Sequence, residues 1–270
     1  MKQIALDLAA KVTGLNEKRN ILREYIQACA LASLHGSGAF TKLSFMGGTA
    51  LRFLYAPPRF SEDFDFSLED PDGYAPREWM EKLKRDLGFQ GFSPEVTWNE
   101  SKTVNVAWIR VPALLAQAGI VTRTEQKLSI KIEIDTAPPA GAAMATRVIQ
   151  KHFLFGIRHH DLPSLMAGKI RAIITRDFTK GRDWYDLLWY LSRRPPVEPN
   201  PTFLRNALAQ GQDRLEGDRD AWKPLLTRRI EKLDFKAIVK DVQAFLEHPE
   251  EARLLNREYL LGVIQNADAF

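Results

Sequence analysis

Phe60-Ser61-Glu62-Asp63-Phe64-Asp65-Phe66 is the stretch on which the reading turns. In an extended strand successive side chains point to opposite faces, so Asp63 and Asp65 share one face while Phe64 and Phe66 enter a core on the other. The result is two carboxylates held side by side by buried aromatics. Hard divalent cations take oxygen ligands, and Mg²⁺ is commonly held by one or two carboxylates, several waters and the phosphates of a substrate. Two solvated acids on an exposed strand would show the same seven residues, so the weight falls on what surrounds them.

Immediately upstream, the apolar run Leu43-Ser44-Phe45-Met46 is closed by Gly47-Gly48-Thr49 and followed by a helical pattern through Leu51, Leu54 and Tyr55. This reads as strand, glycine turn, helix. Glycines let a backbone approach a ligand closely, and the free N–H groups at a helix start favour an anion such as a triphosphate. Gly47, Gly48 and Thr49, with Ser61, are therefore candidate nucleotide-binding residues beside a candidate metal pair; a simple tight turn and a turn-capping serine are the structural alternatives. No Lys-Ser/Thr follows the glycines, which excludes a P-loop, and no His-Arg-Asp loop is present, which excludes a protein kinase.

Further out, Leu22, Ile26 and Cys29 mark a helix over residues 17–35, with Asn16 as N-cap and Gly36 as stop. A second strand is expected over residues 60–68, a helix over 77–87 and strands over 92–98 and 103–111. Residues 127–135 alternate most cleanly, with Leu128, Ile130, Ile132 and Ile134 on one face and Lys131, Glu133 and Asp135 on the other. A short strand is expected at 152–157, followed from residue 162 by about five helices interrupted by a proline-rich linker at 195–201. Clustered strands followed by helices indicate an α+β fold with two parts: an α/β domain over residues 1–158 and a helical domain over 159–270.

In the helical part Lys169 and Arg176 lie seven residues apart on one helix face, and Asp183 and Asp186 lie three apart at the start of the next. The cations suit triphosphate oxygens, and the same spacing suits ion pairs between the two helices, such as Arg176 with Asp183. His159-His160 reads as a solvated pair at the domain junction, since no zinc-ligand spacing accompanies it.

The chain has 270 residues, 45% hydrophobic and 27% charged, which excludes disordered, collagen-like and disulfide-scaffold classes. Its longest mostly apolar stretch, residues 106–121, is broken by Arg110, Pro112 and Gln117, short of the roughly 18 apolar residues of a membrane span. Asp7 interrupts any export signal at the N-terminus, and the single cysteine, Cys29, reads as core filler, so a reducing cytoplasmic setting with no membrane partner is expected. The net charge of +4 is unevenly spread: residues 61–100 hold eleven acids and four bases, a net of −7, and residues 151–200 hold nine bases and five acids, a net of +4. Such a distribution suits a metal site beside a surface for a polyanion.

The run from Phe45-Met-Gly-Gly-Thr-Ala-Leu51 through Arg59-Phe-Ser-Glu-Asp-Phe-Asp-Phe66 closely resembles the first motif of the AbiEii family of nucleotidyltransferase-like toxins. Lys127-Leu-Ser-Ile-Lys-Ile-Glu-Ile-Asp135 resembles the family's lysine- and acid-bearing strand, and Lys169-Ile-Arg-Ala-Ile-Ile-Thr-Arg-Asp177 with Arg182-Asp-Trp-Tyr-Asp-Leu187 resembles its third motif. These motifs span residues 45–187; no motif is recognised beyond about residue 195.

The resemblance implies a polymerase-β-like nucleotidyltransferase fold with a mixed sheet, an NTP substrate with Mg²⁺ or Mn²⁺, and transfer of a nucleotide to a macromolecule, for some members the 3′ end of tRNA, blocking translation. It also implies the toxin half of a toxin–antitoxin or abortive-infection system of phage defence, with a separate DNA-binding antitoxin. On this reading Asp63 and Asp65 are catalytic metal ligands, Glu133 or Asp135 is a third carboxylate with Glu133 favoured, and Lys131, Lys169, Arg176 and Asp183 complete the site. Where the wider signature has Gly-Ser, this chain has Gly48-Thr49, which keeps a hydroxyl. Two other readings stand beside it: a small-molecule nucleotidyltransferase, and a non-catalytic module that binds RNA or a partner protein through its basic segment.

Overall fold

A computed structural model describes residues 1–210 and 220–265. The chain forms two compact units, the first made of Met1–Tyr55, Phe60–Pro138 and Ala145–His159, the second of Ala56–Arg59, Pro139–Met144 and His160–Phe270.

The first unit is built on a seven-stranded mixed sheet. Its elements are α1 (Lys2–Ala10), α2 (Leu15–Gly36), β1 (Leu43–Met46), α3 (Gly47–Tyr55), β2 (Phe64–Leu68), α4 (Pro76–Phe89), β3 (Glu95–Asn99), β4 (Val104–Val111), α5 (Leu114–Gln117), β5 (Leu128–Asp135), β6 (Met144–Lys151) and β7 (Phe153–His160). The strand order is β3-β4-β5-β2-β1-β7-β6. β1 and β2 run antiparallel, whereas β2 with β5 and β1 with β7 run parallel. The mixed sheet with helices is the α+β arrangement that the clustered strands imply.

The alternation read in the sequence is what buries one face of this sheet. Phe45, Phe64 and Phe66 are fully buried, as are Ile130, Ile132 and Ile134, and the rings of Phe45 and Phe66 stack with centroids 5.1 Å apart. α2 packs against β5 and α4, closing the core. Each such aromatic, once buried, contributes about 1.5–3 kcal/mol. Cys29 lies in this core, where burial pushes its thiol up to about 12, so it is a packed side chain and no nucleophile.

Several sequence expectations need adjusting. α2 starts at Leu15 after Gly14, which places Asn16 inside the first turn and not at the cap. β2 starts at Phe64 and not at residue 60, because the backbone before it is bonded by side chains instead of a neighbouring strand (below). Arg59 forms an isolated backbone bridge to Leu246, within the second unit, and Ser61 lies outside any strand. β6 was not legible: seven of its eight residues escape full burial, and an edge strand wetted on both faces shows no alternation.

The second unit is helical among the described residues. α6 (Leu162–Thr175) packs on α7 (Gly181–Leu191), α8 (Pro201–Ala209) and α9 (Trp222–Glu231), while α10 (Phe235–Gln243) packs on α7 and α11 (Arg257–Gln265) on α9. Side-chain caps start three of these: Asp161 accepts from Ser164 N at 2.9 Å, Asn200 from Phe203 N at 3.1 Å and Asp234 from Ala237 N at 3.1 Å. Each cap stabilises its helix by about 1 kcal/mol. α7 meets α10 at Gly181, where a Cβ would fall 2.9 Å from the carbonyl carbon of Ile238. His160 is buried edge-on against Phe203, and His159, in the first unit, edge-on against Tyr55, so neither is the solvated residue the sequence suggested. Among the described residues, no helix is long and apolar enough to cross a membrane.

Candidate active site

In the first unit, β1 ends at Met46, which pairs with Asp65 on β2, and the chain turns at once into α3. The turn needs glycine twice over. Gly47 has φ +75°, and a Cβ there would lie 2.9 Å from Cγ of Asp65 and closer still to its Oδ2. The absent side chain is thus the space that the Asp65 carboxylate fills. Gly47→Ala is expected to carry about 1–2 kcal/mol of backbone strain and to displace Asp65. Calorimetric titration with Mn²⁺ checks this: weaker binding by a folded variant is expected, and wild-type affinity would contradict the packing argument.

Across the parallel β2–β5 pair, Asp65 stands in register with Glu133, and Ile132 with Phe64. Asp63, just before β2, accepts a hydrogen bond at Oδ1 from Lys131 N at 3.2 Å, while Lys131 Nζ lies 2.6 Å from Glu133 Oε1. Asp63, Asp65, Lys131 and Glu133 are all half-buried, accessible to a ligand and still fixed by the sheet. Asp135 is placed differently. One of its oxygens accepts from Ala137 N at 3.0 Å, closing the turn that leaves β5.

Residues 61–63 lack regular structure and are held by side chains from two helices. Gln27 on α2, 1% exposed, donates its amide to the carbonyls of Ser61 (3.3 Å) and Glu62 (2.8 Å). Thr49 on α3, fully buried, donates its hydroxyl to the Asp63 carbonyl and lies 2.8 Å from Ser61 Oγ, whose proton it can accept. Arg23 pairs with Glu62 at 3.3 Å. The hydroxyls of Thr49 and Ser61 therefore face each other and brace the loop that presents Asp63. Gln27 carried no sequence signal, being one of many polar residues along α2. Thr49→Val should remove the hydroxyl that binds the Asp63 carbonyl and faces Ser61 and cost about 1–3 kcal/mol, whereas Thr49→Ser should retain most of that stability; urea unfolding distinguishes the two.

The donor set suits an open site for a hard cation. Two carboxylates projecting from one strand end, with a third in register, are oxygen donors of the type Mg²⁺ and Mn²⁺ take. No group of three or more His, Cys, Asp or Glu among the described residues is arranged to hold a metal ion. Waters and substrate phosphates would therefore have to complete the coordination, as in phosphate-processing Mg²⁺ sites.

In the second unit Lys169, Arg176, Asp183 and Asp186 converge with Arg59. Arg59, 1% exposed, binds the fully buried Asp186 bidentately, Nε to Oδ1 at 2.5 Å and Nη2 to Oδ2 at 2.5 Å. Lys169 Nζ lies 2.7 Å from Asp183 Oδ1 and 2.9 Å from Asp186 Oδ2, and Arg176 bonds the other oxygen of Asp183. Burial alone would lower the lysine pKa, but Asp183 and Asp186 offset it and hold Lys169 above its ordinary value. Burial would raise Asp183, and the charges of Lys169 and Arg176 hold it below the ordinary carboxylate value. Lys169 and Asp183 are thus both held in their charged forms, in a cluster of three basic and two acidic side chains. The interhelical ion pairs foreseen as the structural alternative exist; Arg59 was not foreseen as their partner.

The basic segment is partly committed to packing. Arg171 Nε donates to the Ala207 carbonyl at 3.0 Å and the Arg182 guanidinium lies 4.0 Å over the Phe245 ring, whereas Arg193 and Arg194 are exposed. Trp184 and Tyr185 are buried in the helical core.

The profile of the family described as nucleotidyl transferase AbiEii toxin, type IV toxin–antitoxin system, matches residues 29–257. The match runs well past residue 195, beyond which no motif was recognised. Among solved structures, the chain is similar to JHP933 from Helicobacter pylori, at 18% identity and TM-score 0.56, covering 93% of this chain and 92% of that one. It is likewise similar to MenT4, a nucleotidyltransferase toxin from Mycobacterium tuberculosis H37Rv, at 16% identity and TM-score 0.56, covering 100% of this chain and 91% of that one. At such identities the likeness is one of fold. No curated protein matches the chain significantly.

Proposed function

The chain belongs to the AbiEii nucleotidyl transferase toxin family of type IV toxin–antitoxin systems, and from that premise we propose that it transfers a nucleotide from an NTP to an RNA, the 3′ end of tRNA first among acceptors, and so blocks translation and growth. Family membership itself makes the chain a nucleotidyltransferase with an NTP substrate and implies an antitoxin partner. The RNA acceptor, the divalent metal, a role in phage defence and the residue roles are this proposal's own.

The observation that carries the proposal is the placement of Asp63 and Asp65 at the start of β2, with Gly47 packed on Asp65 and Glu133 in register with it. Asp63 and Asp65 would hold Mg²⁺ or Mn²⁺, with Glu133 as the third carboxylate because Asp135 is engaged in closing a turn. Bound there, the metal would neutralise phosphate oxygens and favour ionisation of the acceptor hydroxyl. The backbone at Gly47 and Gly48 would receive the triphosphate at the start of α3. Thr49 and Ser61 would act by fixing the loop that carries Asp63, and Lys131 by holding Glu133. Lys169 and Arg176 would supply positive charge, Asp183 keeping the Lys169 ammonium oriented.

Incubation with each labelled NTP, Mg²⁺ and total RNA, followed by a denaturing gel, tests the acceptor. The expected result is one labelled species of tRNA length. Label carried only by a small hydroxyl compound, with all RNA unlabelled, would overturn the RNA assignment.

A further inference from the structure

We infer that the second unit carries a subsite for the single-stranded end of a polynucleotide, with Phe178 as the stacking surface and a cationic depression beside it for a phosphate. The inference rests on the transfer-to-RNA reading above and adds where that RNA is held.

Phe178 lies in the connection between α6 and α7 and is 60% exposed, an unusual placement for a large apolar ring. Its ring is flanked by two cations: the Arg176 guanidinium is 5.4 Å from the centroid and the Lys180 ammonium 5.7 Å. Arg176, Lys180, Arg229 and Lys232 line the adjoining depression, where Asp183 is the single carboxylate. Asp183 is itself paired with Lys169 and Arg176, so the depression presents an excess of positive charge. Arg229, near the end of α9, is fixed by its bond to the Ile174 carbonyl, which pre-orients a cation at no further ordering cost.

The depression encloses about 50 Å³, room for a phosphate-sized group but not for a whole nucleotide. A base would therefore lie outside it, and the exposed Phe178 ring is the surface available. Trp184 and Tyr185, at 2% and 5% exposure, cannot serve. Stacking on a ring flanked by cations, with the neighbouring phosphate in a cationic hollow, is how single strands are bound without base readout.

The test titrates a labelled single-stranded RNA oligonucleotide with wild type, Phe178→Ala, Phe178→Trp and the double variant Lys180→Gln with Lys232→Gln across a range of salt, with NTP affinity measured calorimetrically on the same samples. Phe178→Ala is expected to weaken RNA binding about fivefold or more without altering the salt slope, and Phe178→Trp to restore it. The double variant should flatten the log–log salt slope by about 0.7, the contribution of the one phosphate held in the depression. NTP affinity should be unchanged in all. Wild-type RNA affinity and slope in these variants would overturn the subsite and leave the RNA acceptor standing. Loss of NTP affinity with RNA binding intact would also overturn it, assigning the depression to the triphosphate. Absence of RNA binding by the wild type would overturn both.

Discussion

Asp63→Asn and Asp65→Asn are each expected to reduce nucleotide transfer by about 10³-fold or more while leaving the protein folded. A metal that neutralises phosphate oxygens supplies several kcal/mol of transition-state stabilisation, and each 1.36 kcal/mol is about tenfold in rate. Asp63, just before β2, and Asp65, on it, are half-buried, whereas the anchoring Phe64 and Phe66 are fully buried. An amide of the same shape therefore removes charge without disturbing the core. Single-turnover assays with saturating NTP, together with melting curves, check the expectation. Substantial turnover by either folded variant would remove that residue from the metal site.

The second large effect is on stability. Asp186→Ala leaves the Arg59 guanidinium and the Lys169 ammonium buried without the carboxylate they share. Removing one partner of a buried pair costs about 3–5 kcal/mol; here Arg59 loses its bidentate carboxylate, while Lys169 keeps Asp183. The melting transition of the variant should fall by several degrees or more; one within a degree of wild type would show that the network is relaxed by water. The pH dependence follows from the same cluster. Asp183 is held below its ordinary 3.8, so its stabilisation is present above that value and lost as pH falls through the lowered pKa. Lys169 is held above its ordinary 10.5, so its stabilisation is present below that value and lost as pH rises through the raised pKa. The cluster should therefore be insensitive to pH across the neutral range.

How much was legible depended on how local each signal was. β1, α3 and β5 follow from apolar period and from a glycine pair, signals confined to a few residues, and the structure places them almost where the pattern does. Asp63 and Asp65 were legible because Phe64 and Phe66 had to be inside. β6 was not, since an edge strand exposed on both faces needs no pattern. The bracing of residues 61–63 by Gln27 and Thr49 was hidden, since it depends on α2 and α3 converging on a loop that reads as strand. Arg59 was hidden for a similar reason: its carboxylate partner is 127 residues away. The spacing of Lys169, Arg176, Asp183 and Asp186 showed that these residues meet. It did not show that they satisfy one another, which requires distances.

The most direct measurement of nucleotidyl transfer at the Asp63/Asp65 pair follows the fate of two labels. Wild type and Asp65→Asn are incubated with Mg²⁺ and total RNA, using NTP labelled at the α-phosphate in one reaction and at the γ-phosphate in the other. The α label should enter RNA and the γ label should leave as pyrophosphate, with neither event in Asp65→Asn. Entry of the γ label into RNA, or transfer of the α label by Asp65→Asn at the wild-type rate, would contradict the assignment.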